Sequence, residues 1–358
     1  MNEAYPLLLK PEFHERVWGG RRLADLLGAE LPDGPIGESW SMGTDSRVLN
    51  GPLAGRRLGD LVGEKPAAML GRLPSLAERT DLPLLFKIID AQDRLSIQVH
   101  PDDHYARTVE GVPFGKTEAW YVLDASPGAY VIHGFERAVT PDEVRASLAD
   151  GSLPGLLHRV ELRAGDTFFV PAGTVHAIGG GLLLGEIQEN SDITYRLYDW
   201  GRPRETHVEQ SLAVMHPRPS GFGPTRALEV AASSSTLGFL VACRYFLYQS
   251  LEVHGALPLE TKGRSFHVLF CYAGTGTIRY AGGEAAFASG QTFFLPADLG
   301  TYTLAGEGCQ LLRALVPDMQ ADVIGPLLEA GFTAAQVDTL GGPPGNEIER
   351  AIAPACNV

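Results

Sequence analysis

Residues 163–178 read RAGDTFFVPAGTVHAI, and residues 288–304 read ASGQTFFLPADLGTYTL. Both carry the frame Gly-x-Thr-Phe-Phe-aliphatic-Pro-Ala, and from Gly165 to Gly290 the displacement is 125 positions. A turn glycine, a half-buried strand and a proline at its exit thus occur twice, which predicts two copies of one β unit. Further short strands precede each copy. In the first, TEAWYVLDA leads through Ser126-Pro127-Gly128 to AYVIHGF; in the second, FHVLFCYAG leads through Thr275-Gly276 to TIRYAGG. Short strands broken by Gly/Pro turns indicate a sandwich or closed barrel rather than a parallel sheet with crossover helices. The expected fold is mainly β, with two jelly-roll-like barrels.

Helical material decorates the first unit. GRRLADLLGAE and AGRRLGDLVGEKPAAML have helical apolar spacing, and TPDEVRASLADGSLPGLL opens on a threonine cap with proline in the first turn. Residues 216–238, rich in Pro, Gly and Ser, are expected to be a linker. After Pro317 an amphipathic pattern, VIGPLLEAGFTAAQVDTL, is followed by a GGPPGN break and EIERAIA. These shifts divide the chain into an N-terminal domain with helical insertions (residues 1–220), a second barrel (238–316) and a helical tail (317–358), expected to cover a barrel edge.

The 358 residues are 44% hydrophobic, with 42 Gly and 25 Pro, which suits a turn-rich globular protein. The formal net charge of -14 disfavours nucleic acid or an anionic membrane as the main partner, since both demand a basic face. The start, MNEAYPLLLKPEFHERVWGG, places acidic residues before a short apolar run, unlike a signal peptide, so a cytoplasmic location is expected. Cys243, Cys271, Cys309 and Cys356 form no CxxC pair and read as buried thiols.

One polar pattern interrupts the apolar strands. In IQVHPDD, residues 97–103, Gln98 and His100 share one face of a strand that Pro101 ends. Glu118 opens the strand in GKTEAWYVL, and His176 follows the Pro-Ala-Gly-Thr turn in VPAGTVHAI. Three strands each offering a donor near an end is the arrangement of a site in a barrel mouth. The second copy is a control. His176 aligns with Thr301, Glu118 aligns approximately with His267, and no Gln-x-His precedes His267. A lone buried histidine is usually a satisfied core residue, and His133 and His267 are read so. Taken together, Gln98, His100, Glu118 and His176 instead predict a metal site in the first barrel only.

These segments, with WGG at 18–20, GESWSMG at 37–43, FKIIDA at 86–91 and EIQENSDITYRLYDWGR at 186–202, resemble the type I mannose-6-phosphate isomerases in their short bacterial form. The resemblance covers roughly residues 5–315. It implies a pair of cupin barrels, one zinc ion per chain on Gln98, His100, Glu118 and His176, a phosphorylated hexose as substrate, and an active-site arginine at Arg196. The implied reaction moves a proton between C1 and C2 of an aldose 6-phosphate through an enediol(ate). A dication stabilises the developing charge, and a positioned base takes the proton.

Lys116 and Lys87 lie near the ligand strands, where burial either depresses a lysine toward a neutral base or leaves it charged to bind oxygen. Lys87 reads equally as a surface lysine, and Arg196 as a structural partner of Asp199 or Asp192. Arg94 joins Lys87, Lys116 and Arg196 as a possible compensator of a phosphosugar dianion. Trp18 fits either a sugar-pocket wall or a plain turn. Glu186 and Glu189, three apart on a strand, face opposite ways, so at most one looks into the barrel. Two alternatives remain. A cupin dioxygenase is disfavoured because Gln98 stands where such sites use histidine. A non-catalytic sugar-sensing bicupin is disfavoured because Lys116 and Arg196 are both present.

Overall fold

The computed structural model describes residues 4–343 and 345–352. All pairings between its named strands are antiparallel. In the first barrel a six-stranded sheet runs in the spatial order Glu12–Gly20, Ile36–Met42, Leu84–Ala91, Leu182–Glu189, Glu118–Ala125, Thr167–Val170. A five-stranded sheet lies opposite, in the order Tyr195–Tyr198, Ile97–Val99, His176–Ile178, Tyr130–Phe135, Leu157–Glu161. Trp120, Val122, Phe168 and Leu184 from the first sheet meet Val131 and Ile178 from the second in one buried cluster. Alternation along each strand supplies that inner face.

The second barrel is a nine-stranded sheet built from residues 228–315 plus one strand from the chain's beginning. Leu7–Leu9, which the sequence reading groups with the N-terminal domain, pairs with Thr292–Leu295 of the second barrel. The sequence echo is repeated in three dimensions. Glu118 stands opposite Val170, and His267 stands opposite Leu295, which is 125 positions beyond Val170. Each is the first residue of its strand. The second barrel spends that position on packing: His267 is buried, with Nδ1 2.7 Å from the Tyr302 hydroxyl. His133 is equally a core residue, bonded to Ser220 Oγ at 2.9 Å and to the Phe169 carbonyl at 3.1 Å.

A third cluster, with Phe86, Ile88 and Ile187 on one side and Tyr248, Phe270 and Leu312 on the other, joins the two barrels. Gly185 permits that approach, since a Cβ there would lie 2.7 Å from Leu312 Cδ1 and 2.8 Å from Tyr248 Oη. The Tyr248 hydroxyl donates to the Gly185 carbonyl at 3.1 Å.

Helical insertions appear as expected at Leu23–Leu27, Leu58–Glu64, Pro66–Met69 and Pro141–Asp150, the last with a capping box between Thr140 and Glu143. Two expectations need correction. The expected linker contains a strand, Leu228–Ala232, because Leu228 and Val230 pack against the helical tail while the strand pairs with Ser235–Ala242. The tail, in short helices from Met319 to Ile352, covers a sheet face rather than an edge, burying Val323, Leu327, Val337 and Leu340 against Phe239, Leu247 and Leu315. Residues 353–358 of the expected tail, with Cys356, lie outside the described residues, and the other three cysteines are buried thiols. The division of the chain near 220 and 316 remains our proposal. Because Leu327 is fully buried in this packing, Leu327→Ala is expected to destabilise the chain by about 2–5 kcal/mol, measured by urea unfolding.

Candidate active site

The five-stranded sheet sets three side chains in a row. Gln98 is in register with His176 on one side and Arg196 on the other. His100 follows two residues after Gln98 on the same face, where Pro101 stops the ladder. Glu118 comes from the facing sheet. Its Oε1 lies 3.2 Å from His176 Nε2, and its Oε2 lies 3.6 Å from His100 Nε2. The Gln98 amide reaches His176 Nε2 at 3.2 Å, and a half-turn of that amide exchanges its nitrogen for its oxygen.

The two imidazoles are anchored from behind. His100 Nδ1 bonds the Ile193 carbonyl and His176 Nδ1 the Thr174 carbonyl, both at 2.8 Å. Each ring nitrogen facing a carbonyl carries the hydrogen, so each Nε2 presents a lone pair inward. Burial pushes both histidines toward the neutral form, His176 to about 4 and His100 well below its usual value. His100 Nε2 and Glu118 Oε1 are buried without a hydrogen-bond partner among the described residues, and Glu118 Oε2 has only the Lys116 ammonium at 2.8 Å. A carboxylate that is 0% exposed and lacks aligned donors is costly unless a cation sits against it. His100, Glu118 and His176 present donor atoms all within 4.8 Å of one another. Two neutral imidazoles, one carboxylate and an amide oxygen form a donor set that fits a zinc-like divalent ion.

Gln98 also lines a cavity of about 370 Å³, and Trp18 forms part of the wall. Arg16, Lys87, Lys116, Arg196 and Arg204 face it, against Glu38, Glu186 and Asp192. Five cations against three carboxylates make a locally positive chamber in an acidic chain. Lys87 is no surface lysine: it is 4% exposed, with Nζ 3.6 Å from Glu186 Oε1 and 5.0 Å from the Trp40 ring centre. Lys116 is 5% exposed, its Nζ 2.8 Å from Glu118 Oε2. Burial opposes its charge, but Glu118 and then Glu186 outweigh burial and raise its pKa.

Arg196 pairs with neither Asp199 nor Asp192. Its Nη1 donates to the Glu205 carbonyl at 2.7 Å and its Nε has no partner. Asp199 is taken by Arg202 and, through two bonds of 2.6 and 2.8 Å, by Arg204. Arg94 is not a cavity residue; its guanidinium stacks on Trp200 at 4.1 Å. Of the two strand carboxylates, Glu186 faces the cavity. Its Oε2 accepts the Trp120 indole N–H at 2.8 Å, and burial, then the Glu118 charge, raises its pKa.

Sequence reasoning missed three participants: Arg16, Glu38 and Arg204. Burial alone would raise Glu38, but Lys87 and then Arg16 reverse it and hold its carboxyl at about 2. Alternation in GESWSMG could have turned Glu38 inward; nothing in RPRE marks Arg204.

Comparison with known proteins follows this geometry. Residues 7–131 match the family description "Phosphomannose isomerase type I, catalytic domain", and residues 235–316 match "Mannose-6-phosphate isomerase, cupin domain". Mannose-6-phosphate isomerase ManA of Bacillus subtilis is 38% identical over 313 residues, 84% of this chain and 96% of that protein. A mannose-6-phosphate isomerase of Streptococcus mutans is 35% identical over 85% of this chain and 96% of its own length. The crystal structure of the mannose 6-phosphate isomerase from Bacillus subtilis superposes with a TM-score of 0.80 at 32% identity, covering 86% of this chain and 99% of that one.

Removing one imidazole leaves the buried carboxylate without its counterpart. His100→Ala is expected to lose bound divalent metal on dialysis, whereas Arg196→Ala keeps it; metal analysis of both dialysed proteins checks the assignment. Loss of metal from the arginine variant would mean that Arg196 is misassigned as a residue that acts on the substrate alone.

Proposed function

The chain belongs to the type I phosphomannose isomerase family and is an aldose–ketose isomerase, and from that premise we propose that it interconverts mannose 6-phosphate and fructose 6-phosphate in the cytoplasm, with one zinc ion per chain. The observation that carries this reading is the buried His100, Glu118, His176 triad with unpartnered acceptors, beside a cavity rich in cations.

Gln98, His100, Glu118 and His176 would hold the metal, and what zinc supplies when bound is Lewis acidity that favours negative charge on the sugar oxygens. The rest is the work of the chain's side chains. We place the phosphate against Arg196 and Arg204, whose guanidiniums are close enough for Arg204 to help lower the Arg196 pKa after burial. Two such neighbouring groups are relieved by a dianion. Asp199 fixes the Arg204 fork from behind, through both of its oxygens. Lys116 and Lys87 donate to sugar hydroxyls and oppose charge building up on the enediol(ate). Glu186 is placed as the group that carries the proton between C1 and C2. It is held by the Trp120 N–H, faces the cavity, and burial, then the Glu118 charge, raises its pKa. Trp18 closes the wall against the sugar's apolar face.

A coupled assay with mannose 6-phosphate on chelated and zinc-restored protein tests the reading. Turnover is expected only after zinc is restored, and none under either condition would favour a sugar-sensing role. Glu186→Gln is expected to lower kcat by about 10²-fold or more at unchanged metal content, the range for loss of a general acid–base group. An unaffected variant would move the proton shuttle to another cavity residue.

A further inference from the structure

On the face of the strand Leu182–Glu189 turned away from the cavity, a second carboxylate cluster grips the segment that carries Lys116 and Glu118. Glu189 is 2% exposed. Its Oε2 accepts the Thr117 N–H at 2.9 Å, and its own N–H donates to the Thr117 carbonyl at 3.1 Å. Its Oε1 has no donor among the described residues, and the Asp103 carboxyl is a close neighbour. Asp103 in turn accepts the Gly115 N–H at 2.9 Å and the Tyr245 hydroxyl at 3.3 Å. The Lys116 N–H ends on the Pro101 carbonyl at 3.0 Å.

All three backbone donors of Gly115, Lys116 and Thr117 therefore stop on fixed acceptors. The segment has no slack, since a Cβ on Gly115 would lie 2.5 Å from the Pro101 oxygen. Burial, then the Asp103 charge, lifts Glu189 well above the usual carboxylate range; Asp103, against its own burial, is kept low by the Gly115 N–H and by Glu189.

We propose that Asp103 and Glu189 are positioning residues that clamp Gly115–Thr117, and through it set the Lys116 ammonium and the Glu118 carboxylate at their places in the active site. The clamp spans the two barrels, because Tyr245 belongs to the second one. Its assigned effect on turnover rests on the isomerase reading above; its effect on the backbone does not.

Full-length, zinc-loaded protein with Glu189→Gln and Glu189→Leu is the test. Glutamine offers its carbonyl to Thr117 and an amide N–H to Asp103, so kcat is expected to stay within about twofold of the parent. Leucine offers neither, and a loss of about 10–100-fold in kcat is expected, the range typical of groups that orient a site from outside it. KM and melting temperature should hardly move. Amide hydrogen exchange across residues 113–119 should be faster in the leucine variant and unchanged in the glutamine one. The exchange readout needs no substrate, so a parent protein without isomerase activity would sink the reaction and leave the clamp on trial. The clamp is overturned if the leucine variant exchanges like the parent, if glutamine loses as much kcat as leucine, or if only KM or the melting temperature changes.

Discussion

The carboxylate of Glu118 sits where a charge should not be. It is removed from water, two imidazole lone pairs point toward it, and neither of its oxygens finds an aligned donor. Desolvation of a carboxylate without compensation costs several kcal/mol, so its place at the first residue of a strand makes sense only if positive charge is concentrated nearby. Lys116 supplies one such charge, and the donor geometry prepares a place for another. Much of the site's surroundings answers to this constraint. The backbone carbonyls of Ile193 and Thr174 fix which imidazole nitrogens face inward, and the row Arg196, Gln98, His176 is a consequence of strand register. A one-residue slip of Ile97–Val99 would turn Gln98 out of the cavity, which is why a short strand ending in proline is useful there.

The same constraint organises the cavity's wider electrostatics. Glu38 and Glu186 are both buried carboxyl groups, on the two strands that flank Leu84–Ala91, yet their pKa values move in opposite directions. Lys87 and Arg16 stabilise the charge of Glu38, while Glu186 faces the unfavourable field of Glu118. Environment rather than residue type sets the two carboxyl groups apart. Lys116 and Lys87 oppose the rise at Glu186 without undoing it, since Lys116 is held by Glu118 at 2.8 Å and Lys87 is shared between Glu38 and Glu186.

How much of this was legible in the sequence depended on what kind of signal each part leaves. The doubled Thr-Phe-Phe frame announced two barrels because turn glycine, strand and exit proline are local features that repeat at fixed spacing. Gln98, His100, Glu118 and His176 were legible because polar residues interrupt apolar strands, and because the second copy lacks them at the matching places. Arg204 was invisible, since an arginine in a Pro-rich loop looks like any solvated one until Asp199 is seen holding it. The strand at Leu228–Ala232 was hidden by its composition: Pro, Gly and Ser dominate the stretch around it, and only its packing against the tail makes those five residues an edge strand. Arg94 misled for the converse reason, because sequence proximity to the ligand strand does not reveal an aromatic ring that captures the guanidinium.

The second barrel shows another use of the duplicated unit. His267 occupies the position of Glu118, and its ring is satisfied by Tyr302 in a regularly paired strand. This barrel serves as a wall. Tyr248, Phe270 and Leu312 press on the outer face of the sheet whose inner face carries Lys87, Glu118 and Glu186, and Tyr245 reaches Asp103 beside the Gly115–Thr117 segment. A sheet backed on one side by a close-packed apolar layer resists the small strand shifts that would move its inward side chains. Gly185 is the point where the two functions meet. Its missing side chain lets the Tyr248 hydroxyl bond the backbone of the strand that presents Glu186, one residue further on, to the cavity. The second barrel thereby contributes to the precision of the candidate site in the first.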